Sequence, residues 1–109
     1  MAKIRIHRSS GNVFADMGFS SAEAEELTAK SALIDAIGDT IRQRKLSQTA
    51  AAKLCGTDQP TLSKVLRGRM ESVTIDRLAA WLTALGRTVE IRVRPFNAKS
   101  RIGQLVAHS

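Results

Sequence analysis

Residues 47–69, "SQTAAAKLCGTDQPTLSKVLRGR", restrict the fold more than any other part of this chain. Two short stretches, each about two helical turns long, flank Gly56. Ser47 is placed to cap the first, "QTAAAKLC", and Gly56 to end it in a backbone conformation that glycine adopts without steric cost. Thr57 is expected to cap the second stretch, which sets Asp58, Gln59 and Pro60 in its first turn. N–H groups there have no intrahelical acceptor, so the missing donor of Pro60 costs little. Leu62, Val65 and Leu66 recur at helical spacing, and Gly68 marks the stop. Ala52 is small where two such helices would cross closely.

The flanking sequence supplies further helices. Ser20 followed by Glu23 makes a capping box. From there Ala24, Leu27, Ile34, Ile37 and Ile41 recur at helical spacing, and Arg42, Arg44 and Lys45 close a helix over roughly 21–44. A last helix is expected after Thr74, with Ile75, Leu78, Ala79, Leu82 and Leu85 as its apolar stripe and Gly86 at its end. Trp81 flanks that stripe as a core or interface anchor. "KIRIH" (3–7) and "TVEIRVRP" (88–95) alternate apolar and polar residues, the pattern of a strand. The C-terminal strand, with Val89, Ile91 and Val93 on one face, needs a partner for its backbone. Two are open to it: "KIRIH" of the same chain, or its own copy across a two-fold axis.

Charge narrows the function. Of the 109 residues, 17 are Lys or Arg and 10 are Asp or Glu. Through residue 44 six basic residues balance six acidic ones, so the whole net charge of +7 lies beyond that point. A basic excess in one half suggests a localised face for phosphate or an anionic surface. Aromatic content is 4%, too low for stacking on a row of exposed bases. Cys55 is the only cysteine, which leaves no internal disulfide, and it reads as a small apolar packing residue. His7 and His108 have no partners at metal-ligand spacing, so no metal or cofactor is expected. "LAAWLTALG" (78–86) falls short of the roughly 20 residues of a membrane span, and no apolar run of a signal peptide follows the N-terminus. No nucleophile and base pair is visible, and "GNVFADMG" lacks the lysine and spacing of a phosphate loop. A non-enzymatic protein of the cytoplasm is expected.

The unit at 47–69 follows the helix-turn-helix pattern, whose second helix enters the major groove. Without a gap, it resembles helices 2 and 3 of the lambda and Cro-like, or XRE, family. "SSGNVFADMGF" before the first helix and "LGRTVEIRVRP" after the last look like the small regulators that act as HigA-type antitoxins. The resemblance implies that Gln48 meets a phosphate with a helix N-terminus behind it. It implies base-edge contacts for Asp58, Gln59 and Thr61, with Ser63 and Lys64 further along. Gln59 can bond adenine in bidentate fashion, Thr61 can meet a thymine methyl, and Lys64 can donate to guanine. Asp58 departs from the usual neutral residue: it either accepts from cytosine or serves the helix N-terminus. Arg67 and Arg69, at and after the end of that helix, fit flanking phosphates.

The expected fold is therefore all-α, a lambda-repressor-like helix-turn-helix bundle with one C-terminal β-strand. The expected organisation is an arm and connector over 1–19, the DNA-binding domain over 20–86, the strand over 87–95 and a tail over 96–109. The resemblance implies a homodimeric repressor on a palindromic double-stranded operator, and an antitoxin whose segment 1–26 and first helix contact a basic RelE- or HigB-like toxin. A free-standing repressor and a protein-interaction module with a degenerate helix-turn-helix are the alternatives.

Overall fold

The computed structural model describes residues 17–100 and 102–108. Four helices follow in order: α1 (Ser21–Gln43), α2 (Gln48–Cys55), α3 (Gln59–Leu66) and α4 (Ile75–Ala84). Each begins on a side chain that satisfies an otherwise orphaned N–H group. The Ser20 hydroxyl accepts from the Glu23 N–H at 3.2 Å while the Ser20 N–H donates back to the Glu23 carboxylate at 3.1 Å, completing the capping box. Ser47 accepts from the Ala50 N–H at 3.0 Å and Thr74 from the Arg77 N–H at 3.1 Å.

The start of α3 differs from the sequence expectation by one residue. Its cap is Asp58, which accepts from the Thr61 N–H at 2.7 Å, so Gln59 and Pro60 are the first two helical residues. Thr57 belongs to the preceding turn. Its N–H donates to the Ala52 carbonyl at 2.9 Å and closes α2 behind Gly56, whose φ of 72° is left-handed. A residue committed to ending one helix in this way leaves the cap of the next to its neighbour.

α1 packs mainly on α4, α2 crosses α3, and the core lies between these pairs. Ile37, Leu62, Val65, Leu78 and Leu85 are its most deeply buried large side chains, each removing enough apolar surface from water to contribute about 1.5–3 kcal/mol. Ala52 is 2% exposed, as its place at a close crossing requires. Trp81 is buried in the same cluster and is an anchor of the core.

Three cationic side chains hold the ends of this bundle in place. Lys30 is 7% exposed and its ammonium donates to the Met70 carbonyl at 3.1 Å, joining the middle of α1 to the loop after α3. Arg44, just past α1, donates to the Leu85 carbonyl at 3.0 Å, and Arg87, just past α4, donates to the Thr40 hydroxyl at 3.0 Å. Charged donors on such acceptors are stronger than neutral ones.

Among the described residues there is no strand. Residues 87–97 lie outside any helix or ladder; Val89 is half-buried against the core, whereas Ile91 and Val93 are exposed. A strand is defined by pairing, and no described residue pairs with this segment. The arm "KIRIH", the other partner open to it, lies outside the described residues, as do 8–16 of the connector. The tail returns to the first helix: the Leu105 N–H donates to the Glu25 carboxylate at 3.0 Å.

Candidate nucleic-acid interface

α3 divides its residues sharply by face. Leu62 and Val65 are buried, while Pro60, Thr61, Lys64 and Arg67 are exposed. Those four positions repeat at three- and four-residue spacing and form one solvent-facing strip. The strip is polar and basic apart from the proline ring, and the cap Asp58 stands at its start.

Two of the sequence-predicted residues meet directly. Gln59 donates from Nε2 to Oε1 of Gln48 at 2.8 Å, which couples the first residue of α3 to the first residue of α2. Each glutamine keeps part of its amide uncommitted: the Gln48 NH2 group donates and the Gln59 oxygen accepts. A donor at one helix N-terminus and an acceptor at the other are thereby presented side by side. That relation was not foreseen from the sequence, although both residues were singled out separately.

Asp58 caps its own helix with one carboxylate oxygen. Hydrogen bonds from the Thr61 side chain and, second, from its backbone N–H hold the carboxyl below the usual aspartate value, with Lys64 adding a smaller attraction. The negative charge therefore sits against the positive end of α3. This is the helix-terminus role of the two that the sequence leaves open.

Further along, Arg67 donates from Nη1 to the Ser63 hydroxyl at 2.9 Å, which steers that guanidinium back along the helix. The Arg69 N–H donates to the Lys64 carbonyl at 3.1 Å across Gly68, whose φ is 98°. Arg69 is thus fixed at its backbone just beyond the last turn of α3, with its side chain exposed. Thr61 and Lys64 side chains are also exposed.

A concavity beside α3 has the opposite character. Ile34, Asp35, Gly38, Asp39, Arg42 and Leu66 line it. Asp39 pairs with Arg42, while burial, with help from the Asp39 charge, raises the proton affinity of Asp35. Two carboxylates against one guanidinium disfavour phosphate in this concavity.

Cys55 is half-buried, its thiol pushed up by burial and directed at the Trp81 carbonyl at 3.8 Å. That is the environment of an inert packing thiol. Among the described residues no cluster of His, Cys, Asp or Glu could hold a metal ion, and no helix is long and apolar enough to cross a membrane.

Comparison with known proteins agrees with this geometry. The family described as "Helix-turn-helix domain" matches residues 13–94. A solved chain named as an XRE family transcriptional regulator is 32% identical, with a TM-score of 0.70, over 78% of this chain and 96% of its own. No curated protein matches. The matched span and the likeness to that regulator establish that the chain belongs to the helix-turn-helix domain family, of the XRE type.

Proposed function

We propose that the protein is a sequence-specific DNA-binding transcriptional repressor that acts as a homodimer. The observation that carries the reading is the Gln48–Gln59 hydrogen bond, which sets the N-termini of both helices beside the exposed strip of Thr61 and Lys64. Gln48 anchors a phosphate, Gln59, Thr61 and Lys64 read base edges, and Arg67 and Arg69 supply affinity that does not depend on sequence. The activity is occlusion of a promoter rather than catalysis, carried out in the cytoplasm on the nucleoid. Two-fold symmetry places half-sites about 34–36 Å apart or a multiple of that. Selection of bound duplexes from a random pool tests the reading: enrichment of an inverted repeat supports it, and a pool that stays random overturns it.

The resemblance of the flanks extends the proposal to an antitoxin whose partner is a basic RelE- or HigB-like toxin. Surface charge supports it. Glu23 and Glu26 are exposed at the start of α1, and Lys30, which would offset them, has its ammonium turned inward onto Met70. Co-expression with the product of the adjacent reading frame tests this part. A complex that survives purification and is lost with Glu23→Lys plus Glu26→Lys supports it, and a complex that is indifferent to those changes places the toxin elsewhere.

A further inference from the structure

The segment after α4 leaves its anchor in a defined way. The Arg87 N–H donates to the Leu82 carbonyl at 2.9 Å, its side chain is held by Thr40, and Val89 rests half-buried on the core. Beyond that point Ile91 is 89% and Val93 90% exposed. In an extended strand, alternation would set Ile91 and Val93 on the same face as Val89, and in one copy both are left without cover. The family match runs to residue 94, so this segment is part of the domain.

We propose that two copies pair residues 88–94 antiparallel in the register that places Ile91 opposite its own copy. This rests on the homodimer reading and specifies its interface. Residues directly opposite in such a pair point to the same face, so apolar residues stay together only when the register is centred on a residue, as at Glu90, Ile91 or Arg92. Centring on Glu90 opposes two like carboxylates. Centring on Arg92 opposes two guanidinium groups and sets Val89 against the partner's Pro95, which has no N–H to give.

Of these three, the register centred on Ile91 avoids both faults; one centred on Val89 would set Ile91 against the partner's Arg87. It opposes Ile91 to the partner's Ile91, Val89 to the partner's Val93, and Glu90 to the partner's Arg92. The last two pairs each occur twice by symmetry. Val93 then lies beside the partner's Val89, at the edge of the partner's core, and gains the cover it lacks in one chain. Opposite charges face each other on the outer side, and each such cross-strand pair is stabilising while like charges there are destabilising.

Charge reversal in the full chain tests the register by sedimentation equilibrium. Glu90→Arg and Arg92→Glu each turn two attractions into two repulsions and are expected to weaken the dimer roughly tenfold. The double variant is expected to restore association close to the wild type. Glu90→Arg combined with Arg94→Glu is expected to leave it weak. These residues are exposed, and circular dichroism reports whether the helices are retained. A wild-type protein that stays monomeric overturns the homodimer reading and the register with it. A wild-type dimer whose strength ignores Glu90→Arg, or is restored by Arg94→Glu, overturns the register alone.

Discussion

Gln59 donates to Gln48 across 2.8 Å, and these are the first residues of α3 and α2. The bond converts two separate polar side chains into one platform at the mouth of the helix pair. On the proposed function, its remaining donor meets a phosphate and its remaining acceptor a base edge. On that proposal, a phosphate contact by Gln48 would fix the orientation from which Gln59 reads a base.

A double-mutant cycle measures that dependence. Gln48→Ala and Gln59→Ala are each expected to cost operator binding about 1–3 kcal/mol, and the double variant less than the sum. Residues that share a hydrogen bond show coupling of about 0.5–3 kcal/mol. Strict additivity in fluorescence-anisotropy titrations would show that the two amides act independently.

Arg67 and Arg69 are assigned to phosphates, so their removal is expected to act through salt. Arg69→Ala should weaken binding to operator and unrelated duplex alike, and reduce the slope of log affinity against log salt by about 1. Arg67→Ala should do the same. A loss confined to the operator would instead mark the residue as a base reader.

Asp58 and Asp35 should leave opposite signatures in acid. The carboxyl of Asp58 is depressed by its hydrogen bond with Thr61. Its contribution to stability is complete above about pH 4, the unfolded aspartate value, and is lost as pH falls through the lowered folded value. Asp35 is raised by burial and by Asp39. Stability is therefore higher below the unfolded value and falls as pH rises through the folded one. Thermal melts between pH 7 and pH 3 should show Asp58→Ala below the wild type at pH 7, with the gap narrowing in acid. Asp35→Asn should melt above the wild type at pH 7 and converge with it in acid.

Lys30 should matter to stability more than a surface lysine does. Lys30→Met keeps the buried stem but removes the charged donor to the Met70 carbonyl, which retains only the Val73 N–H at 3.3 Å. The expected loss is about 1–3 kcal/mol in urea unfolding. An unchanged midpoint would mean that the Val73 N–H alone satisfies that carbonyl.

Much of this architecture was legible because caps and periodicity are local. Ser20 with Glu23, Ser47 and Thr74 each named a helix start, and Leu62, Val65 and Leu78 named the core. The cap of α3 was misplaced by one residue because Thr57 and Asp58 are both good caps, and only the turn behind Gly56 decides between them. Contacts between residues far apart in sequence were not legible at all. Nothing in the pattern joins Lys30 to Met70, Arg87 to Thr40, or Glu25 to Leu105. Long cations on a helix usually point to water, so their inward turn depends on which carbonyl or hydroxyl the packing brings near. The expected strand has no ladder within the described residues because alternation states a preference and pairing requires a second strand.

The central claim is that the exposed strip of α3 reads DNA sequence. Its most direct test is the affinity of wild type and of Gln59→Ala/Lys64→Ala for a selected operator and for a scrambled duplex, at one salt concentration. The account predicts that the wild type prefers the operator and that the double variant, with its helices intact by circular dichroism, binds both duplexes with the same weak affinity. A double variant that still prefers the operator would contradict it.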